Sequence, residues 1–210
     1  MVDGVIVNSL NIGAEAYAEM GLSLVGIDCD LGEASVQIAS DSYSIGELAT
    51  RRLFDDGCSR ILCLRSNSRM RMPANKRTDA YLDVVEQAGL PALVREVEFV
   101  KPDDEKSAVV AKILDENPDI DGIFAGDDTM AAICLNVMKQ RGLSAPGDIK
   151  VVGADGARRT MTFMPDLTTV RQDIDRIGEL AAQSIIALIN GEKPESNIKL
   201  PVELIEGKTA

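Results

Sequence analysis

Short apolar runs rich in β-branched residues alternate along this chain with stretches of helical periodicity, and that alternation admits few folds. Val2–Val7, Leu22–Ile27, Val36–Ala39, Ile61–Leu64, Leu93–Phe99, Asp121–Ala125, Ile149–Gly153 and Leu200–Ile205 read as strands, eight in all. Between them, Ile45, Leu48, Ala49 and Leu53 share one helical face, which stops at Asp55-Asp56-Gly57. Further helices are predicted over Asn75–Gln87, Asp104–Asp115 and Asp128–Gln140, and over a long segment carrying Ile174, Ile177, Ala181, Ile185 and Leu188. Continuous apolar strands separated by helices mean parallel sheets covered on both faces, an α/β fold. One wide sheet and two lobes both fit this count.

Composition narrows the function. The 210 residues are 45% hydrophobic, enough for a sizeable core. A net charge of −12 makes the chain a poor non-specific ligand for DNA or an anionic membrane. It has no histidine, which excludes Ser-His-Asp and Cys-His catalysis and His-based metal sites. It has no tryptophan and few other aromatic residues to stack on single-stranded nucleic acid. Cys29, Cys58, Cys63 and Cys134 form no CxxC pair and read as small core residues in a reducing compartment, Cys58 included despite its neighbour Arg60. There is no apolar run of membrane-spanning length and no basic-then-apolar leader at the start, so a cytoplasmic location is expected.

In open α/β sheets, ligands bind beyond the carboxyl ends of the strands. Asp28, Asp127, Asp128 and Asp155 stand there, with Arg77 opening a helix after a strand and Gln172 after the Leu167–Val170 segment. Carboxylates accept from hydroxyls and a guanidinium donates in a planar fork, so this set suits a polyhydroxylated ligand such as a sugar. Each residue has a structural reading too. Asp128 reads as the cap of the helix that follows, leaving Asp127 to face a ligand. Asp155-Gly156 could be a turn, Arg77 could pair with Asp79 or Asp83, and Gln172 could satisfy backbone groups. Tyr43 and Phe163 read as core aromatics more readily than as faces for a sugar ring. Gly207-Lys208-Thr209 resembles a phosphate-loop tail, but Val202 replaces the first glycine and no helix follows. No dinucleotide fingerprint, metal set or cofactor motif is present, and no cofactor is expected.

Several segments together carry a family likeness: Asp41-x4-Gly46, Arg77-Thr78-Asp79-Ala80-Tyr81 and Phe124-Ala125-Gly126-Asp127-Asp128 among them. The most specific are Pro146-Gly147-Asp148-Ile149-Lys150-Val151-Val152-Gly153-Ala154-Asp155-Gly156 and Leu167-Thr168-Thr169-Val170-Arg171-Gln172. With these the chain resembles, from Val2 to Thr209, the effector-binding domain of LacI/GalR-type transcription regulators. The resemblance implies a two-lobed periplasmic-binding-protein-like fold with parallel sheets flanked by helices. It implies an N-terminal lobe from residues 1–53 and 173–192, and a C-terminal lobe from 54–172 and 193–210. It also implies a sugar effector in the cleft, held by Asp28, Arg77, Asp127, Asp155 and Gln172, no catalysis, and control of operator binding by a full-length homodimer. The DNA-binding headpiece and two βα units that the family places before the segment matching Val2 have no counterpart here. The first lobe is therefore expected to be incomplete, with open edges prone to self-association. A transport-type periplasmic sugar-binding protein is the alternative of the same fold. Nothing in the sequence favours a glycosidase acting through paired carboxylates.

Overall fold

A computed structural model describes residues 2–8, 21–29, 31, 35–67, 73–98 and 100–210. The strands are β1 (Gly4–Asn8), β2 (Ser23–Ile27), β3 (Val36–Ser40), β4 (Ile61–Asn67), β5 (Leu93–Glu98), β6 (Gly122–Ala125), β7 (Lys150–Asp155), β8 (Thr168–Gln172), β9 (Asn197–Leu200) and β10 (Val202–Ile205). The helices are α1 (Ser42–Asp55), α2 (Lys76–Gln87), α3 (Asp103–Glu116), α4 (Asp128–Gln140), α5 (Arg158–Phe163) and α6 (Ile174–Ile189). They form two compact units built from separate segments: Met1–Ser42, Arg71–Asn75 and Asp173–Pro201 in one, and Tyr43–Met70, Lys76–Gln172 and Val202–Ala210 in the other.

The first unit holds a parallel sheet in the order β1-β2-β3-β9. Val25, Val36 and Ile38 pack against Ile177 and Ala181 of α6, while Val7, Leu24 and Leu31 form a second small cluster. The second unit holds six strands in the order β10-β8-β7-β6-β4-β5, all parallel except β10, which runs antiparallel to β8. Successive strand residues point to opposite faces. Leu62, Leu64, Ile123 and Val151 meet α3 and α4 on one side. Ile61, Cys63, Phe124 and Val152 meet Ile45, Ala49 and Leu53 of α1 and Tyr81 of α2 on the other. The Tyr81 hydroxyl donates to Ile61 O and accepts from Leu93 N, both at 2.8 Å, which pins α2 to neighbouring strands β4 and β5. A Cβ at Gly46 would lie 2.0 Å from the Arg77 carbonyl oxygen, so only glycine lets α1 lie this close to the start of α2.

The structure corrects several sequence expectations. The apolar run Leu200–Ile205 is broken by Pro201, which cannot donate to a ladder. Leu200 ends β9 and Val202–Ile205 forms β10, and the two strands join different sheets. With β8, whose Thr and Arg residues hid it, the described residues carry ten strands rather than eight. The short helix α5 was also unexpected. α1 belongs to the second unit, although the expected boundary at residue 53 placed it in the first, because its apolar stripe is buried against β4 and β6. The segment 193–201 likewise sits in the first unit through β9. Tyr43 and Phe163 are exposed rather than core residues: Tyr43 donates to Asp83 at 2.7 Å, and Phe163 is 76% exposed.

Cys58, Cys63 and Cys134 are buried and Cys29 is half-buried, all as free thiols. Burial pushes the Cys58 thiol up to about 11, away from the range of an activated thiolate. The Gly207-Lys208-Thr209 tail is a strap: the Thr209 hydroxyl donates to Val151 O at 2.7 Å and accepts from Thr168 N at 3.0 Å. No helix among the described residues is long and apolar enough to cross a membrane.

Candidate ligand-binding site

In the second unit, β8, β7, β6 and β4 are consecutive neighbours and parallel, so their carboxyl ends share one edge. Gln172 ends β8, Asp155 ends β7, Asp127 follows β6, and Arg77 lies in the first turn of α2. The Arg77 side chain is only 12% exposed. Its Nη2 donates to Asp155 Oδ1 at 3.2 Å and its Nη1 donates to the Gly126 carbonyl. The Gln172 amide donates to the same Asp155 Oδ1 at 2.6 Å. One carboxylate oxygen is thus held from two sides. Arg77 pairs with Asp155 rather than with Asp79 or Asp83, and Asp79 pairs with Lys76 instead.

The backbone reinforces this. Asp155 has φ 114° and Gly156 has φ 58°. A non-glycine residue at such a φ costs about 1–3 kcal/mol and persists where its surroundings over-determine it. A Cβ on Gly156 would lie 2.7 Å from Arg171 Cα, so the glycine is obligatory. The Asp155-Gly156 pair is therefore more than a surface turn: it aims a carboxylate at the strand ends.

The two adjacent aspartates exchange their expected roles. Asp127 is the cap of α4, its Oδ1 accepting from Met130 N at 2.8 Å. Asp128 is 3% exposed. Its Oδ1 accepts from the Thr169 hydroxyl at 2.6 Å and its Oδ2 from Gly156 N at 2.8 Å. The reason is geometric: α4 begins one residue earlier than the cap reading assumed, which turns Asp128 inward. Burial, then the neighbouring Asp155 and Asp127 charges, push its carboxyl up to about 6 against the pull of Thr169 and Gly156. Burial and Asp127 also raise Asp155, opposed by Arg77 and Gln172. Asp128 thereby ties the loop after β6 to β8 and to the turn after β7. Beyond the quoted motifs, no pattern in the chain pointed to this.

Asp28 belongs to the first unit. It follows β2 with φ 51°, and its N–H donates to Ile38 O at 3.0 Å. Arg65, at the carboxyl end of β4, pairs with Glu96 of β5. Among the described residues no group of His, Cys, Asp and Glu side chains is arranged to hold a metal.

A family profile describing a periplasmic binding protein-like domain matches residues 50–210. The chain belongs to that family. Members of the periplasmic binding protein-like family that resemble it include the sucrose operon repressor of Pediococcus pentosaceus, 32% identical over 211 residues, which span 100% of this chain and 64% of the relative. The ribose operon repressor of Halalkalibacterium halodurans is 30% identical over 210 residues, 99% of this chain and 62% of the relative. The structure of the transcriptional regulator CelR in complex with cellobiose superimposes with a TM-score of 0.88 at 28% identity, covering 100% of this chain and 66% of the other. The LacI/GalR likeness read from the motifs agrees with these relatives. The chain spans somewhat under two thirds of the length of the curated relatives it matches, 64% and 62% for the two repressors.

Proposed function

We propose that this chain is the sugar-sensing part of a LacI/GalR-type transcriptional repressor and that Arg77, Asp127, Asp155 and Gln172 of the second unit bind the sugar. The observation that carries this reading is the Asp155 carboxylate, gripped through Oδ1 by Arg77 and Gln172. Such an arrangement offers fixed acceptors and a planar donor to vicinal hydroxyls at little ordering cost. Asp127, Asp128 and Asp155 interact with one another electrostatically and only one guanidinium, Arg77, pairs with them through Asp155, which disfavours phosphorylated or carboxylated ligands. The repressor and CelR relatives support the reading over a transport protein or an enzyme.

In the whole protein, effector binding acts through differential affinity for two conformations, and so alters operator binding by a homodimer in the cytoplasm.

A thermal-shift screen of neutral sugars, sugar phosphates and nucleosides tests it. A ligand at about 100 times its dissociation constant adds about 2.7 kcal/mol. For a chain of this size that raises Tm by roughly 5–10 °C. A neutral sugar should produce the shift in the parent chain and lose it in Asp155→Ala. Shifts confined to sugar phosphates, or retained fully in Asp155→Ala, would overturn the assignment.

A further inference from the structure

Asp128 is almost fully buried, and the strands around it are shaped to admit its carboxylate. A Cβ on Gly153, in the middle of β7, would collide with Asp128 Oδ1. The backbone there is ordinary strand, so this glycine answers to the close approach of a carboxylate rather than to a turn.

The two oxygens hold the parts that present Asp155. Oδ2 accepts from Gly156 N at 2.8 Å, next to Asp155 in the chain. Oδ1 accepts at 2.6 Å from the hydroxyl of Thr169, on the same strand as Gln172, which itself donates to Asp155. The unusual φ of Asp155 thus has a specific anchor.

That anchor is ionisable. The charged side chains that face it are Asp155, at the end of β7, and Asp127, on its own turn. Arg77 of α2 reaches it through Asp155. β8 presents the neutral Thr169 hydroxyl, and its Arg171 pairs with Glu203 of β10. Lys106 of α3 lines a small pocket with Asp127 and pairs with Asp103. A buried carboxylate beside two others is costly when ionised. The protonated form keeps the anchor, because one oxygen still accepts from Gly156 and the O–H donates to Thr169. Sugar hydroxyls bonded to Asp155 and Asp127 displace the water that screens those charges, which makes ionised Asp128 costlier still.

We propose that Asp128 is a positioning residue of the sugar site, acting through Gly156 and Thr169, and that sugar binding is coupled to uptake of one solvent proton by its carboxylate. The inference rests on the sugar-binding reading above and adds the regulation of that site by pH.

Isothermal titration calorimetry on this chain with ribose, glucose, fructose, galactose and sucrose tests it, run from pH 5.5 to 8 in phosphate and in imidazole. Without sugar the carboxyl titrates at about 6, and a bound sugar raises that value. Affinity should therefore fall as pH rises through the window above about 6, by about tenfold for a rise of one unit. The heats in the two buffers should differ by the uptake of a fraction of a proton within that window. Asp128→Asn reproduces the bonds of the protonated form, and should bind without proton uptake and with about the parent's pH 5.5 affinity throughout. Thr169→Val removes a donor that favours the ionised form, and should move the fall to higher pH. Asp128→Ala, checked for cooperative melting, leaves Gly156 N without its acceptor and should weaken binding more than about tenfold at every pH. No uptake by the parent, equal uptake in Asp128→Asn, an unmoved fall in Thr169→Val, or full affinity in Asp128→Ala overturns the inference and leaves the sugar reading standing. No binding of any of these sugars by the folded chain overturns both.

Discussion

The two units solve the same packing problem with different resources. The second encloses its sheet between two broad apolar layers, one centred on Leu62, Ile123 and Val151, the other on Phe124, Tyr81 and Ile45. The first, among the described residues, relies on two small clusters around Ile38 and Val7. Among the described residues the second unit carries a buried carboxylate, Asp128, and Asp155 at φ 114°, and the first carries Asp28 at φ 51°. In the second unit the broad apolar layers offset the cost of holding Asp128 and Asp155 in place.

The largest expected effect tests that asymmetry directly. Phe124→Ala should cost about 3–5 kcal/mol, and Ile38→Ala about 2 kcal/mol, the low end of the range for large-to-small core changes. Urea unfolding followed by circular dichroism measures both. Equal losses would break the comparison.

Next comes Asp128. Its folded pKa of about 6 lies above the ordinary carboxylate value near 4, so between these pH values the folded state holds more protons than the unfolded state. Stability from this group is therefore highest below about pH 4 and falls as pH rises to about 6, by up to roughly 3 kcal/mol. Asp128→Asn keeps the shape and removes the titration. The stability difference between variant and parent should grow in the variant's favour across that window and stay flat above it. A difference independent of pH would show that Asp128 is not held as described.

Gly156→Ala should cost about 1–3 kcal/mol through strain against Arg171, and should also abolish the sugar-induced thermal shift. Retained binding would mean that the backbone at Asp155 is not what aims its carboxylate. Smallest of all, Tyr43→Phe removes an exposed bond to Asp83 and should change stability by no more than about 0.5 kcal/mol. A larger loss would restore Tyr43 to a structural role.

Much of this was readable in the chain because the signals are local. Apolar runs and helical spacing located β2 to β7 and α1 to α4 within a few residues, and the rule about strand ends directed attention to Asp155, Arg77 and Gln172. What escaped depended on contacts distant in sequence. In Asp127-Asp128 either aspartate can cap a helix, and only the exact exit of β6 decides which one turns inward. Pro201 divides one apolar run between two sheets, a choice made by β3 and β8 and invisible in the run itself.

Neither unit is one uninterrupted stretch of chain. Residues 1–42 need 173–201 to complete their sheet through β9, and residues 43–172 need 202–210 to add β10 and the Thr209 strap. No single cut can release either unit whole, and limited proteolysis should yield nicked pairs that stay associated. Nor can either finish folding until its last segment has been made, so each stays incomplete while most of its own residues already exist.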